Sequence, residues 1–234
     1  LLERQQEEYQ GFSKAVREVF SRKDSFAGLR DVVANLIQVP ESYETAITIL
    51  LGYRMQDIVV DDSITAKRVI EFLKTYKIGR VTLLPMDMIE GNFRNFTKVE
   101  SHPGFINYAA RLVDIPFGFE KLPVYLFANS VVARSLDDAI EMRKEAGFSG
   151  RIVSVDGQLL SAGGSITGGF IGEETRTDLL SRKRRIQELL ERETELVKEI
   201  QLGGKQIGRL KDETIEVRGY LKTLQEELNE LASK

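Results

Sequence analysis

The chain has 234 residues, of which 42% are hydrophobic and 29% charged, with a net charge of -3 and no cysteine. The missing cysteine excludes disulfides, thiolate nucleophiles and cysteine zinc sites, and the small net charge gives no general attraction to nucleic acid or to an acidic membrane. No apolar run reaches the roughly 18 to 20 residues of a membrane span. The sequence begins within a helical pattern and without a signal-like segment, so we expect part of a longer, cytoplasmic protein.

Residues 1–22 are predicted to form an amphipathic helix. Apolar side chains recur in steps of three, four and seven residues, which is the spacing of one helix face. They are Leu2, Tyr9, Phe12, Val16 and Val19. We interpret this segment as the N-terminal arm of a coiled coil.

Residues 25–174 contain an internal repeat, in which residues 28–40 align with residues 104–116. The same order of patterns follows each copy, so both halves (about 25–90 and 100–172) are predicted as strand, helix, strand, helix, strand. The third strands are expected at Gly79–Val81 and Gly150–Ile152. Such alternation favours mixed or parallel pairing, and the predicted fold class is α/β (α+β).

Residues 177–234 carry two apolar tracks with a seven-residue repeat, which start at Ile186 and Leu189. A strict heptad of this length is typical of a coiled coil. We expect this second arm to pair antiparallel with the first, and Gly203 and Gly204 to loosen its helix without ending it. The apolar members of the tracks are Ile186, Leu189, Leu196, Ile200, Ile207, Leu210, Val217, Leu221, Leu224, Leu228 and Leu231.

The sequence offers little for catalysis. His102 is the one histidine, so neither a Cys-His dyad nor a multi-histidine metal site can form. The pairs Asp61–Asp62 and Asp137–Asp138 lie at predicted helix starts, where carboxylates cap unpaired N–H groups. We predict no enzyme activity, no catalytic residue, no metal and no cofactor for this chain.

Residues 163–169, with the sequence GGSITGG, form a glycine-rich segment. It differs from a Walker A loop, which needs Gly-Lys-Ser/Thr after its spacer, because Gly168 is followed by Gly169 and Phe170. Two interpretations stay open: a flexible loop before the second arm, or bare backbone that another chain can approach closely.

A dense basic run begins the second arm. It is either a solvated helix face or a patch that contacts phosphates, and DNA would then be bound through its backbone rather than its bases. The candidate residues are Arg176, Arg182, Lys183, Arg184 and Arg185, with Arg22 and Lys23 if the two arms start side by side.

The middle region resembles the hinge domain of SMC proteins, the structural maintenance of chromosomes ATPases, over about residues 25–172. The resemblance is carried by residues 39–47, 65–73, 79–85, 150–157 and 163–169, and the flanking heptads fit it. Ile166 stands where the family often has Met, and Ala128 and Arg134 stand where Gly and Asp are common. The overall pattern is closer to bacterial homodimers.

The resemblance implies a hinge homodimer that joins long arms, contributes to DNA entrapment in chromosome condensation and segregation, and lies at the nucleoid. It also implies weak, non-specific DNA binding, and kleisin-type subunits bound only at ATPase heads that this sequence does not contain. The implied dimer interface is Gly163, Gly164, Ser165, Ile166, Thr167, Gly168 and Gly169. The alternative is a small-molecule-binding α/β sensor domain on a signalling coiled coil, which would be a monomeric globule with a ligand pocket.

Overall fold

The computed structural model describes residues 9, 11–169 and 179–232, apart from the side chains of residues 179, 181–183, 187 and 230–232. The chain forms two compact units, which divide between Arg184 and Arg185. Among the described residues, no helix combines the length and the apolar character needed to cross a membrane.

The first half of the globular unit holds a three-stranded sheet in the order β1-β2-β3. β1 and β2 are antiparallel, and β2 and β3 are parallel. In chain order the elements are α1 (Lys14–Phe20), β1 (Leu29–Val32), α2 (Val33–Leu36), α3 (Glu44–Leu51), β2 (Ile58–Val60), α4 (Ser63–Thr75) and β3 (Leu83–Pro85).

The second half repeats this order and extends it. Its five-stranded sheet has the order β4-β5-β6-β7-β8, with β5 and β6 parallel and the other neighbours antiparallel. The elements are α5 (Thr97–Glu100), β4 (Phe105–Tyr108), α6 (Lys121–Phe127), β5 (Val131–Ala133), α7 (Leu136–Glu145), β6 (Ile152–Ser154), β7 (Leu159–Leu160) and β8 (Ile166–Thr167). The predicted α/β class, the internal repeat and the mixed pairing are confirmed.

The third strand of each half begins later than predicted. α4 ends at Thr75, and Lys77 and Gly79 then take positive φ angles of 52° and 137°. The chain therefore turns before it enters the sheet, and pairing begins where the Ile58 amide donates to the Thr82 carbonyl. Both predicted strands exist, but the predicted bounds, Gly79–Val81 and Gly150–Ile152, are wrong because each strand begins two to four residues later.

The two halves meet at equivalent points of the repeat. The amides of Gln38 and Asp114 each donate to the other residue's carbonyl at 2.9 Å, and these residues occupy the same position in the two copies. One hydrophobic core also draws side chains from both halves, including Ile47 and Leu126. The halves are therefore packed as a single globule.

Tyr9 and residues 11–22 belong to this globule by their contacts. Tyr9, Phe12, Val16 and Val19 are buried in its core, and the Tyr9 ring stacks on Phe20 at 4.2 Å between centroids. For these residues the coiled-coil interpretation is wrong, because their apolar stripe packs into the core of the globule. Residues 1–8, including Leu2, lie outside the described residues, and an arm there stays a prediction.

The last element is one long helix, α8 (Leu179–Ala232), of 54 residues. Its residues from Arg185 onward belong to the second unit. At 1.5 Å per residue the helix is about 80 Å long. It runs through Gly203 and Gly204 without a break, as expected. The apolar heptad side chains from Ile186 to Leu228 are exposed, and the side chain of Leu231 lies outside the described residues.

Candidate dimer interface and nucleic-acid interface

The glycine-rich segment contains the outermost strand of the second sheet. β8 pairs with β7 on one side, through Leu160 with Ile166 and Leu159 with Thr167. On its other side no strand is present among the described residues, and Ile166 is 50% exposed. An edge strand of this kind presents backbone N–H and C=O groups that another chain can pair with.

The glycines of this segment are not required by packing within the chain. A Cβ atom added to Gly163, Gly164 or Gly169 would meet no described heavy atom within 4 Å, and one at Gly168 would lie 3.2 Å from the Gln158 Cγ. Gly164 and Gly169 have positive φ angles of 90° and 129°, which favour glycine. At Gly163 neither a clash nor a positive φ accounts for the missing side chain.

A second open sheet edge lies in the first half. β3 occupies the place in the repeat that β6 occupies in the second half, and β6 is covered by β7 through Ile152 and Leu160. Within the described part of the chain, β3 has a strand on one side only. The nearby side chains of Ile64 and Met88 are 63% and 66% exposed. Among the described residues, β3 and β8 are therefore both edge strands, as are β1 and β4 at the opposite ends of the two sheets.

The basic run at the start of α8 is partly neutralised. The Arg184 Nε atom lies 2.6 Å from Glu44 Oε1, and its Nη2 atom lies 3.3 Å from Glu41 Oε1. Arg185 forms an exposed pair with Glu188 at 3.4 Å. Arg184 is thus held by two carboxylates, one of them buried, which makes it a weak candidate for phosphate contact.

The other members of the predicted basic patch are only partly described. Arg176 lies outside the described residues, and so do the side chains of Arg182 and Lys183. Lys23 is exposed, and the Arg22 guanidinium lies 5.0 Å from the ring centroids of both Phe72 and Tyr76. Arg22 therefore sits against α4 of the globular unit.

Sequence reasoning missed a broader basic surface around this contact. α1 and α4 pack together, and they and the residues after them carry many exposed basic side chains and few acidic ones. The sequence did contain a signal for it: basic residues are spaced by three on α1 and by seven on α4, which places them on one face of each helix. The basic residues are Lys14, Arg17, Lys67, Arg68, Lys74, Lys77 and Arg80, against Glu18, Asp24 and Glu71. We refer to the set with Arg22 and Lys23 as the α1/α4 basic surface.

A surface cavity of about 460 Å³ is the feature most relevant to a small-molecule sensor. Arg54 donates to the Leu126 carbonyl at 2.9 Å, lies 4.9 Å from the Tyr125 ring and pairs with Asp57 at 3.5 Å. Burial raises the pKa of the Asp57 carboxyl above its ordinary value, although Arg54 and a hydrogen bond from Thr82 oppose this. The charged groups of the cavity are thus engaged with one another and with the backbone.

The described residues contain no group of three or more His, Cys, Asp or Glu side chains that could hold a metal ion. His102 accepts a hydrogen bond from the Gly104 amide at its Nδ1 atom, and its Nε2 atom lies 3.4 Å from Glu141. These contacts give the histidine a role in holding the loop before β4.

Comparison with known proteins points in one direction. A family model described as SMC proteins Flexible Hinge Domain matches residues 26–143. The Chromosome partition protein Smc of Bacillus subtilis is 31% identical over 214 residues, which cover 90% of this chain and 18% of that protein. The protein of the same name from Methanocaldococcus jannaschii is 32% identical over 189 residues, which cover 79% and 16%. The chain spans about a sixth of the length of such relatives.

Solved structures agree with the family model. An asymmetric dimer of the Geobacillus stearothermophilus SMC hinge domain has a TM-score of 0.76 and 34% identity, covering 84% of this chain and 80% of that chain. The Pyrococcus furiosus Smc hinge domain with an extended coiled coil has a TM-score of 0.58 and 25% identity, covering 99% and 79%. These likenesses do not favour the sensor alternative.

Proposed function

The chain belongs to the SMC flexible hinge domain family, and from this premise we propose that its globular unit joins two copies of a longer SMC protein. The joined copies would hold two pairs of arms, and the whole assembly would act at the nucleoid in chromosome condensation and segregation. Kleisin-type subunits would bind at the distant ATPase heads. The hinge itself would have no catalytic role.

The observation that carries this proposal is that β3 and β8 are edge strands, each with a strand on one side only among the described residues. A two-fold dimer repeats each contact twice, so β8 of each copy can lie beside β3 of the other and both edges become covered. The exposed apolar side chains of Ile64, Met88 and Ile166 lie on or beside these edges. A stable interface buries at least about 1,200 Å² in total, so we expect residues that flank the two short strands to take part as well.

Gly163 gives the sharpest test of this interface. A side chain there meets nothing within the chain and φ is not positive, so Gly163→Val should leave each copy folded while it obstructs the approach of a second copy. We expect the dimer Kd, measured by sedimentation equilibrium, to rise at least tenfold. Gly163→Ala should give a smaller rise.

The control is Thr75→Val, at the exposed end of α4, which should leave the dimer Kd unchanged. If Gly163→Val dimerises with unchanged Kd, the glycine-rich segment is a loop outside the interface, even if the chain is a dimer. A wild-type chain that stays monomeric would contradict the dimerisation proposal itself.

Weak, sequence-independent DNA binding is the second part of the proposed function. The α1/α4 basic surface supports it, because its acidic neighbours are few and its basic side chains are exposed. Binding through phosphates should have a Kd of roughly 10⁻⁴ to 10⁻⁶ M at physiological salt. Removal of one phosphate contact should reduce the slope of log K against log salt by about 0.9.

The DNA test compares two sets of substitutions in duplex titrations at several salt concentrations. One set replaces Lys14, Lys67 and Lys74 by Gln, and the other replaces Arg182, Lys183 and Arg185 by Gln. Arg184 is kept, because its removal would leave Glu44 buried without its partner. A reduced slope in the first set alone assigns the contact to the α1/α4 basic surface, and unchanged slopes in both sets would reject both patches.

A further inference from the structure

Arg143 on α7 reaches the turn that connects β7 to β8. Its Nη1 atom donates to the Ala162 carbonyl at 3.1 Å, and its Nη2 atom donates to the carbonyls of Gly150 and Ser161 at 2.6 and 2.9 Å. One guanidinium thus joins the helix, the chain just before β6 and the turn itself.

The turn has its own short network, to which Arg143 adds an outside anchor. The Ser161 amide donates to the Ser165 carbonyl at 2.9 Å, and the Gly164 amide donates to the Ser161 carbonyl at 3.0 Å. The Ser161 carbonyl therefore accepts from both Gly164 and Arg143. Beyond the turn, Ile166 and Thr167 are exposed, so packing of their side chains contributes little to the position of β8.

The inner strand of this hairpin is fixed differently. Leu160 on β7 is 3% exposed and packs in the core of the second half with Met142 and Phe148. Burial of Leu160 holds β7 against the sheet, but it does not fix the angle at which the turn leads out to β8. The hydrogen bonds from Arg143 to the carbonyls of Gly150, Ser161 and Ala162 tie the turn to α7 and to the chain before β6.

We propose that Arg143 is a positioning residue for self-association, which sets the glycine-rich edge in the orientation that a second copy of this chain pairs with. The inference rests on the proposed dimerisation through β8. A preorganised edge pays less ordering entropy on association than a mobile one. Arginine suits this role because its planar fork can donate to several carbonyls at once, whereas lysine is a single flexible point charge.

The test uses the whole chain and three variants. Arg143→Met keeps most of the apolar stem and removes the donors, and Arg143→Lys keeps the charge and restores one donor group. Lys144→Met, at the neighbouring exposed position, removes the same charge without touching the turn. Two quantities are measured: the dimer Kd by sedimentation equilibrium, and hydrogen exchange of the Ser161 and Gly164 amides at a concentration where the chain is monomeric.

We expect the dimer Kd of Arg143→Met to rise about 10- to 100-fold, in line with the removal of two or three hydrogen bonds. The Ser161 and Gly164 amides should exchange at least tenfold faster, while core amides of β5 keep their protection. Arg143→Lys should lie between this variant and the wild type, and Lys144→Met should match the wild type.

Three results overturn the inference. One is a dimer of Arg143→Met with unchanged Kd, and another is unchanged exchange of the turn amides. The third is faster exchange throughout the β5 amides, which would make Arg143 a general stability residue. A wild-type chain that is monomeric at every concentration would reject the proposed dimerisation, while faster exchange of the turn in Arg143→Met would still show that Arg143 orders the edge.

Discussion

Replacing Ala128 by glycine should stabilise the globular unit. Ala128 follows α6 with φ 47° and ψ -124°, and Gly52 follows α3 at the equivalent point of the repeat with φ 51° and ψ -128°. This conformation is ordinary for glycine and strained for a residue with a Cβ atom. Ala128 is also exposed, so removing its methyl group sacrifices little burial.

The magnitude follows from two opposing terms. A non-glycine residue in such a sparsely populated region costs about 1–3 kcal/mol, and glycine costs about 0.4–1 kcal/mol through the greater freedom of the unfolded chain. Ala128→Gly should therefore raise the free energy of unfolding by about 1–2 kcal/mol. Gly52→Ala should lower it by a similar amount, since a Cβ there meets no described heavy atom within 4 Å and adds no clash.

Urea denaturation followed by circular dichroism measures both changes. Ala146→Gly is the matched control: Ala146 follows α7 with an ordinary φ of -86°, so the same substitution should destabilise the unit by about 0.5–1 kcal/mol. If Ala128→Gly destabilises the unit as much as Ala146→Gly does, backbone strain at Ala128 is not significant and the expected gain is wrong.

Two further predictions concern charged groups where the halves meet. Arg151 donates to Ser130 Oγ at 3.1 Å and to the carbonyls of Leu50 and Leu126 at 2.9 and 3.4 Å, in the last turns of α3 and α6. Arg151→Met should therefore lower the free energy of unfolding, measured in urea, by about 2–4 kcal/mol. A change below about 0.5 kcal/mol would contradict this. Because burial raises the pKa of Asp57 in the folded state, the folded chain binds more protons than the unfolded chain between the two pKa values, and stability should fall as pH rises through that window. The Asp57→Asn variant should lack this fall in stability. If its curve of unfolding free energy against pH runs parallel to that of the wild type, Asp57 does not titrate as its burial implies.

The sequence was enough to predict the repeat, because alternating apolar runs and turn signals are local properties. The strands after α4 and before β7 were placed too early because Gly79 and Gly150 look like strand starts in the sequence. Gly79 has a positive φ, and Gly150 lies against the Phe148 ring and the Asn129 carbonyl. Both glycines lie in the connections that lead into β3 and β6, which only the three-dimensional path of the chain reveals.

The N-terminal stripe shows a different limit. Steps of three and four residues mark an apolar helix face. The same pattern is found in a helix that packs on a globular core and in a helix that pairs in a coiled coil. Tyr9, Phe12, Val16 and Val19 are buried in the globule, and periodicity alone does not distinguish the two outcomes.

Long-range polar contacts were also beyond the sequence. Arg184 belongs to a basic run, yet its partners Glu41 and Glu44 lie about 140 positions away. Arg143 gave no signal at all, because carbonyl groups accept hydrogen bonds at every residue. The glycine-rich segment, by contrast, was visible in the sequence, and the structure adds that it forms an open sheet edge.

The mass of the chain in solution tests the central claim most directly. Multi-angle light scattering at micromolar concentration should give about 53 kDa, twice the 26.5 kDa of one chain. The dimer should persist when Leu210, Val217 and Leu221 on the exposed stripe of α8 are replaced by Gln, since the globular unit carries the interface. A mass of 26.5 kDa for the wild type at every concentration, or a dimer that disappears with these three replacements, would contradict the account.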